Sequence, residues 1–256
     1  MTNLDIELVP ALSDNYVYLL RDAGTGTVAV VDPAAAEPVE AALARRGWRL
    51  DLILCTHHHG DHVGGNAELK RRFGCPVVGP KAEAARIPGL DRGVVEGDRV
   101  DVGGFAFQVL EVPGHTAGHI AFWCAEADAL FCGDALFSLG CGRMFEGTAP
   151  QMWASLDKLR RLPDTARIHC GHEYTQSNAR FALALDPSNP QLQARAAEVD
   201  ALRAAGRPTI PARLGVEKAA NPFLRCDDPG IQAAVGLPNA DPAAVFAEVR
   251  RRKDSF

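Results

Sequence analysis

No apolar run in the sequence approaches the roughly 18 residues that a membrane-crossing helix needs. The opening residues, Met1-Thr2-Asn3-Leu4-Asp5-Ile6-Glu7, carry acids where a secretory signal would carry Lys or Arg. A soluble, cytoplasmic protein is the expectation. There is no close Cys-x-x-Cys pair: Cys55, Cys75, Cys124, Cys132, Cys141, Cys170 and Cys226 are an odd set of seven, mostly inside apolar runs. They read as buried thiols in a reducing compartment. Positive charge is not in surplus either. A formal net charge of -5 gives no chain-wide attraction to nucleic acid or to an anionic membrane. No Gly-x-Ser-x-Gly elbow occurs, and Ser138 and Ser155 lack a triad context, so serine hydrolysis has no support. No repeat at solenoid periods stands out, and no low-complexity tract beyond Ala-rich helices. Histidine is missing before His57 and after His172.

What is present is a chain of 256 residues, 47% hydrophobic and 23% charged, near the globular average. Its length suits one large domain or a domain with a smaller partner. Short β-rich runs at residues 6–9, 16–20, 28–31, 52–55, 105–112, 120–124, 129–132 and 167–170 alternate with turn signals. Helical patterns at residues 38–46, 63–73 and 150–162 lie between them, so sheets faced by helices are predicted, an α/β class. Gly24-Thr25-Gly26 lacks the third glycine and the following helix of a phosphate loop and reads as a hairpin turn. After about residue 173 the β signals stop. Helices are predicted at 174–185, 190–205 and 242–253, the last opened by Asp241 as cap and Pro242 in its first turn. The chain is therefore divided into an α/β domain, 1–172, and a helical domain, 173–256.

Thr56-His57-His58-His59-Gly60-Asp61-His62 follows an apolar strand and places four His and one Asp within six residues. So many imidazoles at the end of a buried strand are costly to desolvate without a partner, and a divalent metal satisfies several at once. In extended backbone His57, His59 and Asp61 share one side, while His62 reaches a neighbouring position. That splay fits two metals. Three further runs end alike: Pro113-Gly114 leads to His115, Gly133 to Asp134 and Gly171 to His172. The candidate ligands are His57, His59 and His115 for one ion, Asp61, His62 and His172 for the other, and Asp134 as the shared carboxylate. Alternation turns His58 and His169 away into structural roles. His119 stands open between core packing and support of a ligand.

The pattern His57-x-His59-x-Asp61-His62 with His115, Asp134 and His172 resembles the metallo-β-lactamase superfamily, an αββα sandwich with its metal site along one sheet edge. Four further segments narrow the resemblance. They are Gly140-Cys141-Gly142-Arg143-Met144-Phe145-Glu146-Gly147-Thr148, Cys170-Gly171-His172-Glu173-Tyr174-Thr175, Asn221-Pro222-Phe223-Leu224-Arg225 and Arg250-Arg251-Arg252-Lys253-Asp254-Ser255-Phe256. With them, nearly the whole chain resembles the glyoxalase II (hydroxyacylglutathione hydrolase) family. The resemblance implies a binuclear site, most simply zinc with iron or manganese as alternatives, and hydrolysis of S-D-lactoylglutathione to D-lactate and glutathione, the second step of methylglyoxal detoxification. It also implies glutathione contacts at Arg143, Tyr174, Arg250 and Lys253. Arg143 stands where some members have Lys, and Phe145 where some have Tyr, which removes a hydroxyl donor.

The same residues point to an anionic small molecule on their own chemistry. Arg250 to Lys253 close a helix whose dipole favours cations, and forked Arg donors suit carboxylates. For the thioester that the resemblance implies, two metals would lower the pKa of a bridging water from about 15.7 towards 7, and the hydroxide would attack the thioester carbonyl. Asp61 and Asp134 would hold the ions and orient the hydroxide. A thiolate leaving group, of parent pKa near 8.5, needs no strong general acid. Cys141 between two glycines suits a turn better than a nucleophile. Two alternatives stay open: a glutathione persulfide dioxygenase with one iron at His57, His59 and His115, and another hydrolase of the same fold, such as a lactonase. No nucleic acid or membrane partner is expected, and a monomer is.

Overall fold

The computed structural model describes residues 3–256. Contacts between residues group the chain into two compact units, one running to Glu111 and including Ala117–Gly133, the other made of Val112–Thr116 and Asp134–Phe256.

The first unit opens with three antiparallel strands, β1 (Leu4–Ala11), β2 (Asn15–Asp22) and β3 (Val28–Val31). Residues 22–27 make the β2 to β3 turn, with Asp22 Oδ1 accepting from Gly24 N at 2.8 Å and Gly26 at φ 79°, so the hairpin predicted at Gly24-Thr25-Gly26 is present. Crossovers then add β4 (Leu52–Leu54) through helix α1 (Ala36–Arg46), β5 (Val77–Pro80) through α2 (Gly60–Val63) and α3 (Asn66–Phe73), and β6 (Arg92–Val94) through a 3-10 helix at Lys81–Arg86, all in parallel. The sheet order is β1-β2-β3-β4-β5-β6. Strand alternation decides its two faces: Val17, Leu19, Val30 and Ile53 bury with Val39 and Leu43 of α1 and Leu69 of α3. Each such side chain contributes about 1.5–3 kcal/mol by leaving water. Tyr18, on the opposite face, meets Phe131 edge-on at 5.5 Å, and Phe131 lies 6.1 Å from Phe107. Phe107 and Phe131 belong to four antiparallel strands, β7 (Arg99–Val102), β8 (Phe105–Glu111), β9 (Ile120–Cys124) and β10 (Ala129–Gly133). Two sheets packed face to face, with helices outside the first, are the product.

In the second unit, β11 (Leu136–Phe137) pairs with β12 (Gly140–Cys141), and α4 (Ala149–Arg160) follows under a Thr148 to Gln151 capping box. β13 (Arg167–Cys170) pairs with β14 (Ala212–Arg213). Helices α5 (Thr175–Leu185), α6 (Pro190–Ala204), α7 (Leu214–Ala220), α8 (Pro229–Val235) and α9 (Pro242–Asp254) complete it, with Asp241 capping α9 and Pro242 at its start as expected. Among the described residues no helix is long and apolar enough to cross a membrane.

Three local expectations are corrected. The single helix expected at 63–73 is two, Gly60–Val63 and Asn66–Phe73; at the joint a Cβ on Gly64 would stand 2.5 Å from Ala34 O and one on Gly65 2.9 Å from Ala35 C, so only glycine fits there. β structure does not end at 173: Ala212–Arg213 pairs with β13, a two-residue strand too short for any periodicity to betray. The extended alternation through Asp61 also fails, since Gly60–Val63 is a helical turn and Asp61 and His62 project from it. All seven cysteines are buried and outside any disulfide, as the sequence suggested. Burial pushes Cys124 and Cys141 up to about 11 and Cys170 up to about 12, so Cys141 is no nucleophile at neutral pH.

Candidate active site

In the first unit the end of β4 delivers Thr56 and His57 into a buried loop, and α2 carries Asp61 and His62. Thr56 Oγ1 donates its one proton to Asp32 Oδ2 at 2.7 Å. The same oxygen, 3.0 Å from His57 Nδ1, is then the acceptor of a ring N–H. His62 Nδ1 likewise donates to Asp32 Oδ2 at 3.1 Å, and Thr56 N to Asp32 Oδ1 at 2.7 Å. One buried carboxylate thus sets both tautomers and turns the basic Nε2 atoms of His57 and His62 to the other side. Asp32, His57 and His62 offer ligand atoms all within 4.8 Å of one another. Since the Asp32 carboxylate already accepts three hydrogen bonds, it holds the candidate ligands His57 and His62 in place.

His57 Nε2 lies 3.1 Å from His59 Nδ1, and His62 Nε2 lies 3.7 Å from Asp61 Oδ2. Two atoms bound at about 2.1 Å to one tetrahedral ion stand ~3.4 Å apart, so these spacings suit adjacent ligand positions. Asn15, buried, donates through Nδ2 to Asp61 Oδ2 at 3.1 Å and to Asp61 O at 3.0 Å, which aims that carboxylate. His58 has the structural partner expected of it, with Nδ1 and N at 2.7 and 2.8 Å from Glu83 Oε2. His119 stacks on His57, ring centroids 4.6 Å apart, and so backs a candidate ligand.

The second unit brings His115, Asp134 and His172 together. Asp134 Oδ2 is 3.4 Å from His115 Nε2 and 3.4 Å from His172 Nε2, the same ligand-to-ligand spacing about one carboxylate oxygen. His115 Nδ1 donates to Arg143 O at 2.8 Å, which again leaves Nε2 as the basic atom. Gly142 is required here, because a Cβ would meet Asp134 O at 2.0 Å. The donor set of each unit fits a divalent metal by atom type and by spacing.

The expected substrate residues lie in the second unit too. Tyr174 stacks on His172 with centroids 4.6 Å apart and planes 1° from parallel, and Phe137 abuts both rings. Phe145, 63% exposed, stands edge-on to His115 at 5.2 Å, an apolar wall without a donor. Arg250 is buried, donating to Cys141 O at 3.1 Å and pairing with Asp254 at 2.8 Å. Exposed Arg143 lies 3.7 Å from the same Asp254. Lys253 sits over the Phe181 and Phe256 rings. Partial burial first, then repulsion from Arg250, Arg180 and Arg143, lowers it to about 8.

Asp32 and Asn15 were missed from sequence. Asp32 did carry a signal, since it directly follows the apolar run 28–31 as the other candidates follow theirs. Asn15 carried none, because its partner Asp61 lies 46 positions away.

Residues 12–172 match the family model of the metallo-beta-lactamase superfamily. The fold and the metal-type donor sets define the same class. Residues 173–256 match the model of the hydroxyacylglutathione hydrolase C-terminus. A hydroxyacylglutathione hydrolase of Rhodospirillum rubrum is 59% identical over 256 residues, covering 100% of both chains. Among solved structures, ETHE1 from Myxococcus xanthus is 28% identical with TM-score 0.65, covering 100% of both chains. TTHA1623, solved in a di-iron-bound form, is 27% identical with TM-score 0.62, over 84% of this chain and 98% of that one. The chain belongs to the hydroxyacylglutathione hydrolase family of this superfamily.

Proposed function

We propose that the chain hydrolyses S-(2-hydroxyacyl)glutathione thioesters, S-D-lactoylglutathione to D-lactate and glutathione, as the second step of methylglyoxal detoxification, acting in the cytoplasm as a monomer. The observation that carries this reading is the full-length 59% identity to a protein named for that hydrolysis. Two divalent ions are needed, and zinc is our reading of them. His57, His59 and His115 would hold one, Asp61, His62 and His172 the second, and Asp134 would be shared. Bound there, such ions supply acidity to water and attraction for the oxyanion of the attacked carbonyl.

The chain's own groups do the rest. Asp32 and Thr56 fix the histidine tautomers, and Asn15 fixes Asp61. Asp61 and Asp134 are the candidate catalytic carboxylates. Tyr174, stacked on His172, would flank the acyl group, and Arg143, Arg250 and Lys253 would receive the carboxylates of the glutathionyl group. Labour is divided at about residue 172: the proposed metal ligands end with it, and all the proposed substrate groups but Arg143 follow it. The leaving thiolate departs without a general acid.

The test is S-D-lactoylglutathione hydrolysis by the purified protein before and after chelation, with metal measured on the same sample. Activity should vanish with the metal and return when it is restored; retained activity in metal-free protein overturns the reading. A pH prediction accompanies it. Lys253 titrates near 8, so it is cationic below that pH and neutral above it. KM for the glutathione thioester is expected to rise above about pH 8, and Lys253→Arg to remove that rise. An identical KM profile in wild type and variant would count against Lys253 as a substrate cation.

A further inference from the structure

The segment Asn221-Pro222-Phe223 has no part in the chemistry above, yet it is fully enclosed and touches the supports of the substrate cations. Asn221 Nδ2 donates to Phe137 O at 3.1 Å and to Gly140 O at 3.0 Å, the two carbonyls that flank the turn between β11 and β12. That turn is an unfavourable one, with Leu139 at φ 57°. Glu217, one helical turn before Asn221, accepts from Ser138 Oγ at 2.6 Å and from Leu139 N at 2.7 Å. Asn178 Nδ2 donates to Ser138 O at 3.2 Å. Every polar side chain in this clamp is buried.

Two residues on from Asn221, the ring of Phe223 lies 5.1 Å beneath the Arg250 guanidinium, inside the range of a cation–π contact. Phe181 and Phe246 brace that ring at 6.0 and 5.9 Å. The opposite hold on Arg250 is the carbonyl of Cys141, the residue that follows Gly140 in β12. One short segment thus grips both the strand that Arg250 bonds to and the ring that Arg250 stacks on. Arg250 Nε is buried with no hydrogen-bond partner among the described residues, a donor not spent on the protein itself.

We propose that Asn221 and Phe223 are positioning residues that set Arg250, and through the β11 to β12 turn Arg143, for a carboxylate of the thioester's glutathionyl group. The inference rests on the reading under Proposed function. A purely structural role would affect every substrate alike, whereas positioning of carboxylate-binding cations matters only to a substrate with carboxylates.

The experiment compares S-D-lactoylglutathione with the D-lactoyl thioester of N-acetylcysteamine, which has the same reacting carbonyl and no carboxylate. Both are hydrolysed by the full-length, metal-loaded protein, with metal content measured for each variant. Phe223→Leu keeps a branched apolar side chain in the core and removes the ring. It is expected to raise KM for the glutathione thioester roughly tenfold with kcat within about twofold, and to leave kcat/KM for the truncated thioester within about twofold. Asn221→Ala is expected to show the same split; if it does not fold, Phe223→Leu decides alone. Equal losses on both thioesters, or no loss on either, overturn the inference while wild-type turnover keeps the hydrolase reading intact. A wild-type protein that hydrolyses neither thioester overturns that reading, and the inference with it.

Discussion

Asp134→Ala is expected to lower kcat/KM for the thioester by about a thousandfold or more, equivalent to ~4 kcal/mol of transition-state stabilisation. The reason lies in the spacing of the second unit's donors: His115 Nε2 and His172 Nε2 both stand 3.4 Å from a single Asp134 oxygen. Without the carboxylate, two basic imidazole nitrogens converge with no anion between them, and any cation held there loses a charged ligand. Metal content should fall below two ions per chain, measured by elemental analysis of the purified variant. A variant with full metal content and a rate within tenfold of wild type would remove Asp134 from the proposed catalytic set. Asp134→Asn should fail nearly as badly, because the amide keeps the shape and loses the charge.

The second large effect is expected at Asp32, which touches no substrate. Asp32→Ala strips the acceptor from Thr56 N, from Thr56 Oγ1 and from His62 Nδ1 together. An orphaned buried donor costs about 1–3 kcal/mol, and alanine at φ 50° adds about 1 kcal/mol of backbone strain. Metal-free protein should therefore melt several degrees lower. Beyond that loss, metal affinity is expected to fall by roughly 10- to 100-fold, since His57 and His62 are no longer held in the tautomers that present Nε2. Asp32→Asn separates the two effects: its side-chain oxygen can still receive Thr56 N, while its NH2 opposes the donors on the other side. It should recover most of the melting temperature and little of the metal affinity. Recovery of both by Asn would mean that Asp32 acts on the fold alone.

Much of this architecture is legible in the sequence where local pattern suffices. Residues 28–31, 120–124 and 167–170 are strands over the lengths expected, because apolar runs between turn residues have few other solutions. The need for glycine at 64 and 65 was not legible, because it comes from the backbone of Ala34 and Ala35, remote in sequence. Arg250 shows the same limit. The sequence marks it as one of four clustered cations, and nothing local says that it is buried against Phe223 and Cys141 O while its neighbour Arg251 is exposed.

The sequence by itself determined the inventory of candidate ligands. Metal-type side chains recur at the ends of apolar strands, and their identity and spacing are properties of the chain that folding does not change. Only the tertiary structure decided how those side chains are held: which ring nitrogen His57, His62 and His115 present, which carboxylate orients the candidate ligands, and which cation is gripped from two sides. Such features are set by hydrogen bonds and stacking between residues far apart in the chain, and their strength depends on distances and burial that exist only once the chain has folded.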